Sequence, residues 1–349
     1  MLLQELSEAV GVSGDEEAVR NIILSAIDGH AEHIRIDPMG SVTAVQPGTG
    51  GSGLRVMLAA HMDEIGFMVT GVDSDGTLRF TKVGGVDDRI LPGLRVRIGA
   101  DQIPGVILWG PIHKTWEQKS IAKITSLRID IGASSKDDAN GKVKAGDRVV
   151  FDSRFMEVGD KMLRGKAFDD RVGCSLLVDV LQGGPYAVDV LAAFTVQEEV
   201  GLRGARVAAQ TLDPDVAFVL EGTTAHDVPD PMADPDAVTR PNPTCKIGGG
   251  PALTVMDRSM VTDPRLLRFL RGTAEANSIP YQLKTALGGG TDAGAIHQAN
   301  AGVPSAVISM PCRYIHSPSA YLSRDDYAHT LKLIQAALNS LTPDALAWE

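Results

Sequence analysis

The sequence predicts an α/β fold in which a mainly parallel sheet is covered by helices on both faces. Segments that are apolar throughout, and that have the length of a buried strand, indicate the sheet. They occur at four places, which are RVMLAA (55–60), DVLAAF (189–194), DVAFVL (215–220) and PSAVISM (304–310). Segments with helical periodicity alternate with these strands, and this alternation is typical of a parallel sheet with crossover helices.

The helical segments can be followed along the chain. The first residues read as a helix that breaks at Gly11, and SGDEEAVRNIILSAI (13–27) starts a second helix, with Ser13 or Asp15 as its expected cap. The later helical segments are RVGCSLLVDVLQ (171–182), GARVAAQTL (204–212), DPRLLRFLRGTAEAN (263–277), DAGAIHQAN (292–300) and RDDYAHTLKLIQAALNSL (324–341).

The stretch from about residue 67 to 157 has a different pattern. Its short β-like segments are separated by Gly, Pro and Asp, and only KDDANGK (136–142) suggests a brief helical turn. We therefore expect a small β-rich domain at 67–157. It would be inserted into a core domain formed by residues 1–66 and 158–349.

Composition and charge exclude several classes of partner. The chain has 349 residues, 33 of them Lys or Arg against 44 Asp or Glu, and a formal net charge of -11. This balance argues against a nucleic-acid or anionic membrane surface. No apolar run approaches the length of a membrane span, and the first residues lack the pattern of a secretory signal. The three cysteines are far apart without a CxxC pair, which favours a reducing cytoplasm.

Side chains that can bind metal follow the predicted core strands. RVMLAA leads into His61 and Asp63, DVLAAFTVQ into Glu198 and Glu199, and DVAFVL into Glu221, while PSAVISMPCRYI leads into His316. Asp169 and Asp170 directly precede a predicted helix. Since ligands bind at the carboxyl ends of the strands in open α/β sheets, these groups are expected to converge in one crevice.

The donor atoms of this set predict a site for hydrolytic metal ions. Nitrogen and oxygen ligands without thiolates suit zinc, cobalt or manganese. The abundance of carboxylates suits two ions about 3.5 to 4 Å apart that share one bridging carboxylate. Two dications also make the adjacent glutamates tolerable, because Glu199 can be a ligand while Glu198 takes a proton from water as general base.

Six motifs in this order resemble those of the tetrahedral aminopeptidases, family forty-two of the metallopeptidases. They are AAHMDEIGFMV, KAFDDRVG, QEEVGLRGA, EGTTAHDVP, GGGTDAGAIH and RYIHSP. An IDIGASSK segment (129–136) is typical of the family's inserted domain. The resemblance covers nearly the whole chain and implies a zinc-exopeptidase type of fold.

The resemblance also implies a role for each residue of the set. It implies that His61, Asp169 and Glu221 hold one divalent ion, while Asp169, Glu199 and His316 hold the other. Glu198 would be the general base, and Asp63 would support His61. The bond between Asp169 and Asp170 is often cis in such sites. Many members have Asp where this chain has Glu221, which leaves the preferred metal open.

The function that the resemblance implies is removal of N-terminal residues from short peptides. The inserted domain would form dimers that build a homododecamer. Asp292, in GGGTDAG, is expected either to cap its helix or to face the substrate amine, and Arg313 is a candidate substrate contact. Two other classes stay open on the sequence, namely a glycoside hydrolase that uses paired carboxylates and a non-catalytic scaffold with a degenerate site. The preferred N-terminal residue is not defined by the sequence.

Overall fold

The computed structural model describes residues 1–110, 113, 121–228, 245–285 and 288–348. Residues 111–112 and 114–120 of the predicted insert, and Pro229 of the motif EGTTAHDVP, lie outside the described residues. The described helices are Leu2–Glu8, Glu17–Ile27, Lys136–Asn140, Phe168–Gly183, Arg203–Leu212, Pro264–Ala276, Ala293–Ile296 and Arg324–Ser340, with 3₁₀ turns at Asp88–Ile90, Ile124–Ser126 and Pro343–Leu346. Each of these described helices is too short or too polar to cross a membrane.

The described strands form three separate β structures. In chain order they are β1 (Glu32–Ile36), β2 (Val42–Gln46), β3 (Arg55–His61), β4 (Gly66–Val72), β5 (Leu78–Val83), β6 (Arg95–Ile98), β7 (Ile103–Ile107), β8 (Ile129–Asp130), β9 (Arg148–Phe151), β10 (Met156–Val158), β11 (Met162–Gly165), β12 (Asp189–Thr195), β13 (Val216–Thr224), β14 (Ala252–Thr254), β15 (Gln282–Lys284), β16 (Ser305–Cys312) and β17 (Ala320–Ser323). The short strands β10, β11 and β17 form an antiparallel sheet of their own.

The main sheet has eight strands in the order β1-β2-β12-β3-β13-β16-β14-β15. The four central strands, β12, β3, β13 and β16, are parallel neighbours and coincide with the four predicted apolar segments. The sheet is therefore mostly parallel, as predicted. Antiparallel pairings with β2 on one side and β14 on the other make it a mixed sheet, a feature that the sequence analysis did not include.

Successive residues of the central strands belong to two different hydrophobic clusters. In β3, Val56 and Leu58 pack in a large cluster with Val172 of helix Phe168–Gly183 and residues of helix Arg324–Ser340. Met57 and Ala59 pack instead in a smaller cluster with residues of helices Arg203–Leu212 and Ala293–Ile296. Alternate side chains of a strand point to opposite faces, so apolar burial occurs on both faces of this sheet.

The β-rich segments between Gly66 and Phe151 close into a six-stranded antiparallel barrel. Its strand order is β4-β5-β8-β7-β6-β9. The interior is apolar, with the Phe67 ring edge-on to Phe80 at 5.3 Å and to Phe151 at 5.6 Å. The short helix Lys136–Asn140 forms where KDDANGK predicted a turn, with the Ser135 side chain as its cap.

The N-terminal segment is attached to the carboxyl end of β3 by buried polar contacts. Val12 forms a parallel bridge with Glu64. The guanidinium of Arg171, which is fully buried, donates to the Met62, Leu6 and Gly11 carbonyls. The ammonium of Lys166 donates to both carboxylate oxygens of Glu64 at 2.6 and 2.8 Å. These contacts fix the chain on both sides of Asp63.

The predicted caps of the second helix are wrong. The N-cap of helix Glu17–Ile27 is Glu16, and its side chain caps no helical amide. Ser13 lies three residues earlier and donates its hydroxyl hydrogen to Asp63 instead. The competing interaction is thus a long-range hydrogen bond, which local propensity does not reveal.

Candidate metal centre

His61 ends β3 and meets two carboxylates from neighbouring elements. Its Nε2 lies 3.0 Å from Oδ1 of Asp169 and 3.5 Å from Oε1 of Glu221. Glu221 belongs to β13, which pairs with β3, so the sheet itself brings it close to His61. The sequence placed Glu221 at the end of its strand, but β13 continues to Thr224 through its pairing with β16.

His316 provides a second histidine on the other side of Asp169. Its Nε2 lies 3.1 Å from Oδ2 of Asp169 and 3.4 Å from Oε1 of Glu199. Its Nδ1 lies 2.8 Å from the carbonyl oxygen of Gly85, in the segment that follows β5 of the barrel. A carbonyl can only accept, so Nδ1 carries a proton and Nε2 faces the carboxylates.

Asp169 lies between the two histidines, with one carboxylate oxygen near each. It sits at the start of helix Phe168–Gly183, and the Asp169–Asp170 peptide bond is cis, as expected. Asp170, the next residue, lies beside His61 and Glu221. Its carboxylate accepts hydrogen bonds from the backbone amides of His61 at 3.1 Å and Gly173 at 3.0 Å.

Asp63 organises the residues around it through its fully buried carboxylate. Oδ1 accepts from the backbone amide of Glu198 at 2.9 Å, and Oδ2 accepts from that of Glu199 at 3.2 Å. Oδ2 also accepts from the Ser13 hydroxyl at 2.6 Å. Nδ1 of His61 lies 3.0 Å from the Asp63 carbonyl oxygen and 3.4 Å from Oδ1. One carboxylate therefore positions both the His61 ring and the turn that carries the two glutamates.

The clustered carboxylates have strongly perturbed acidities. Burial, together with the nearby charge of Asp169, raises the pKa of Glu221 to about 8 and that of Glu199 to about 7. Burial and the charge of Glu221 raise the pKa of Glu198 well above its usual range. Burial opposes protonation of His316, yet the Asp169 carboxylate raises its pKa to about 10. The cluster holds more negative charge than its own histidines can balance.

This donor set fits divalent cations. Three overlapping groups have ligand atoms within 4.8 Å of one another, namely His61 with Asp170 and Glu221, His61 with Glu198 and Glu199, and Asp169 with Glu199 and His316. Carboxylates and imidazoles without thiolates suit zinc and related ions. Such ions would also offset the like-charge repulsion that raises the pKa values of the glutamates.

A cavity of about 640 Å³ opens onto this cluster. Asp169, Glu198, Glu199, Glu221 and His316 are among the residues that line it. Its other walls are built mainly by Thr223, Thr224, His226, Asp257, Lys284, the glycines 288–290 and Ile315.

The two predicted substrate contacts are not among the described residues that line this cavity. Asp292 is buried, and its carboxylate accepts a hydrogen bond from the Thr195 hydroxyl. It starts helix Ala293–Ile296 but makes no capping hydrogen bond with its side chain. Arg313 forms a two-pronged ion pair with Asp227, with N–O distances of 2.6 and 2.8 Å.

Sequence reasoning missed two residues that contact the candidate site. Ser13 reaches Asp63 across 50 positions of the chain, and Gly85 contributes only its carbonyl oxygen. The paired glycines in KVGGVDD could have indicated that the backbone approaches another part of the structure closely at Gly85. A Cβ at Gly84 would lie 3.2 Å from Glu199, and one at Gly85 would lie 3.1 Å from Nδ1 of His316. The close approach of the backbone therefore favours glycine at both positions, and at Gly84 a φ of +82° favours it as well.

A mostly parallel α/β sheet with histidines and carboxylates clustered near the carboxyl ends of its strands is typical of metal-dependent hydrolases. Comparison with known proteins narrows this class. The chain belongs to the M42 glutamyl aminopeptidase family, whose model matches residues 40–333. It is therefore a peptide hydrolase of the aminopeptidase type.

Three relatives illustrate the similarity. A protein of Acetivibrio thermocellus, named as a candidate aminopeptidase, is 38% identical over 343 residues, which cover 97% of each chain. The lysyl aminopeptidase of Pyrococcus furiosus is 33% identical, with 98% of this chain and 97% of that protein covered. The structure of the Pyrococcus horikoshii TET1 peptidase, described as assembling into a tetrahedron or a large octahedral shell, matches with a TM-score of 0.85. It is 34% identical, over 97% of this chain and 99% of that one.

Proposed function

We propose that the protein is a dinuclear metalloaminopeptidase in which Asp169 bridges two divalent ions. His61, Asp169 and Glu221 would hold one ion, and Asp169, Glu199 and His316 the other. The observation that carries this proposal is the position of Asp169, whose two oxygens lie 3.0 and 3.1 Å from different histidines. Zinc and cobalt are the expected ions, with manganese as a further candidate. Divalent ions at such a centre polarise a carbonyl group and lower the pKa of water.

Glu198 is the proposed general base and proton carrier. Its Oε2 lies 4.0 Å from Nε2 of His61, and it lines the cavity beside the proposed ligands. Its backbone amide donates to Asp63, which fixes the base of the side chain beside the proposed ligands. Glu198 would take a proton from the attacking water and deliver it to the leaving amine.

The substitution Glu198→Gln tests this assignment. The amide keeps the size of the side chain but cannot accept the proton, so we expect both ions to stay bound while kcat falls by about 10²- to 10⁴-fold. Exposed Glu32→Gln is the matched control and is expected to behave like wild type. Elemental analysis and turnover of aminoacyl anilides measure the two properties. A Glu198→Gln enzyme with most of its activity would contradict the assignment.

The proposed substrates are short peptides with a free N-terminus. Carboxylates and metal ions of the proposed centre would bind the α-amine, which restricts cleavage to the first peptide bond. Acetylation of the N-terminus removes the amine charge and is expected to abolish hydrolysis of an otherwise good substrate. Equal cleavage of the free and the acetylated peptide would contradict exopeptidase action.

We further propose that residues 67–157 form a dimerisation domain and that residues 1–66 and 158–349 form the catalytic domain, with helices covering both faces of its sheet. The two hydrophobic clusters support the helical covering. Val106, Leu108 and Trp109 support the dimer surface, because they are exposed apolar residues on one continuous stretch of the barrel, with 66% of Trp109 exposed. The three cysteines are free and buried, which is consistent with a cytoplasmic location.

The proposed assembly is a homododecamer built from dimers, by analogy with the shells described for the TET1 peptidase. Light scattering is expected to give a mass of twelve 36.9 kDa subunits. Trp109→Glu places a charge on the proposed dimer surface and is expected to lower the mass. A fully active particle of one subunit would contradict this assembly.

A further inference from the structure

Lys284 is the one lysine or arginine among the described residues that line the substrate cavity. It is the last residue of β15, the edge strand of the main sheet, and it is partly buried. Its backbone carbonyl accepts from the Val255 amide, which fixes the base of the side chain. The cavity that opens onto the candidate ligand cluster therefore also has a basic group on a regular element of the sheet.

The charge of Lys284 has no partner within the described part of the chain. Its ammonium group makes no ion pair or hydrogen bond with any described residue. This distinguishes it from the other positive groups near the cavity, since His316 faces Asp169 and Arg313 is paired with Asp227. A lysine that lines a cavity without a counter-charge is a good binding site for an incoming anion.

Asp257, a carboxylate in the cavity wall outside the candidate ligand cluster, forms no ion pair with Lys284, and its Oδ2 is buried without a hydrogen-bond partner among the described residues. Its Oδ1 accepts three hydrogen bonds, from the amide and hydroxyl of Ser259 at 2.6 and 2.8 Å and from the Met260 amide at 2.9 Å. Oδ1 of Asp257 thus stabilises the turn formed by residues 257–260. The carboxylates of the metal cluster, in turn, would be balanced by the two proposed dications.

We infer that Lys284 binds a carboxylate of the substrate and makes the enzyme selective for anionic peptides. The inference rests on the proposed function, because the same cavity must receive the peptide. The carboxylate can be the acidic side chain of the N-terminal residue or the C-terminal carboxylate of a di- or tripeptide. Family membership does not decide between charge preferences, since the family is described as glutamyl while one relative is a lysyl aminopeptidase.

Two pairs of substrates separate the two sources of the carboxylate. Glutamyl and glutaminyl anilides have the same shape and differ in the side-chain charge, and neither has a C-terminal carboxylate. Leucyl-glycine and its amide differ only in the C-terminal charge. For each pair, the ratio of kcat/KM values isolates the contribution of one carboxylate.

The variants are Lys284→Met, Lys284→Arg and, as matched control, Lys144→Met on an exposed lysine of the barrel. Because a charged hydrogen bond is lost, Lys284→Met is expected to lower one of the two ratios by about 10- to 100-fold. Lys284→Arg is expected to keep most of the wild-type ratio, and Lys144→Met is expected to leave both ratios unchanged. A lowered glutamyl ratio identifies the side chain as the source, and a lowered dipeptide ratio identifies the C-terminus.

Both ratios unchanged in Lys284→Met would overturn the inference. An equal loss on all four substrates would overturn it as well, because it would show general damage to the cavity. Calorimetry gives the same comparison without turnover. It measures the affinities of glutamate and glutamine, and of the dipeptide and its amide, for the metal-loaded wild type and for metal-loaded Lys284→Met. If the wild-type protein binds the charged ligands selectively but hydrolyses no peptide, only the proposed function is contradicted. If it hydrolyses peptides but shows no preference for the charged ligands, only the role of Lys284 is contradicted.

Discussion

Removing the Ser13 hydroxyl is expected to weaken metal binding although Ser13 itself is not a proposed ligand. The hydroxyl donates to Oδ2 of Asp63 at 2.6 Å, and both side chains are buried. Asp63 in turn contacts His61, a proposed ligand. Partners that orient a ligand typically contribute 10- to 100-fold to metal affinity.

The structure indicates where in this 10- to 100-fold range the loss of metal affinity in Ser13→Ala is expected to lie. A hydrogen bond to a charged acceptor contributes about 1.5 to 3 kcal/mol. Asp63 keeps its two backbone donors, from Glu198 and Glu199, so its carboxylate is not left without partners. We therefore expect the lower limit, about 1.5 kcal/mol, which corresponds to roughly tenfold weaker binding.

The assay is competition with a chromogenic chelator at fixed pH. Ser13→Thr keeps a hydroxyl and is expected to retain most of the affinity. Ser340→Ala removes a hydroxyl that donates to the Ala336 carbonyl at 2.8 Å on an exposed helix end, and it is the matched control. Urea unfolding of the metal-free forms reports any separate loss of stability. If Ser13→Ala binds metal as tightly as Ser340→Ala, Asp63 does not depend on Ser13 and the reasoning is refuted.

Three further predictions concern the proposed ligands and the buried ion pair. His61→Ala and His316→Ala are each expected to lower bound metal toward one ion per subunit, and elemental analysis that finds two ions in both variants would rule out the assignment. Asp169→Asn is expected to weaken both ions together, because the proposed bridge contacts both, and selective loss of a single ion in metal titrations would argue against bridging. Lys166→Met leaves Glu64 with one weaker buried partner and is expected to destabilise the protein by about 3 kcal/mol; a change below about 1 kcal/mol in urea unfolding would contradict this.

The central sheet could be predicted because its strands are buried on both faces and read as uninterrupted apolar runs. The flanking strands carry a weaker signal. Glu32–Ile36 is largely exposed, and Ala252–Thr254 and Gln282–Lys284 have only three residues each, so neither pattern nor length identifies them. Ala252–Thr254 pairs antiparallel with β16, about 55 positions away, and Gln282–Lys284 pairs parallel with Ala252–Thr254, so both strands depend on contacts with distant segments.

The candidate cluster could be predicted because parallel strands deliver their ends to one edge of the sheet. The hydrogen-bond partners of the polar side chains at this edge could not be predicted from the motifs that contain them. The partners of Asp292 and Arg313 are Thr195, 97 positions away, and Asp227, 86 positions away. Both predicted substrate contacts therefore lie in internal hydrogen bonds, while Lys284 lines the cavity without any local motif.

The carbonyl of Gly85 ties the barrel to His316, and this limits how the two parts of the protein can change independently. In the segment after β5, Gly84 lies close to Glu199. The carbonyl of the next residue, Gly85, contacts Nδ1 of His316 and fixes the orientation of its imidazole. A chimera with a foreign barrel would need this two-glycine connection as well as compatible ends. A deletion variant that lacks the barrel would keep every proposed metal ligand and still have a misoriented His316. Because the proposed subunit contacts lie on the same barrel that supplies the Gly85 carbonyl, a substitution that distorts the barrel is expected to change both assembly and ion affinity.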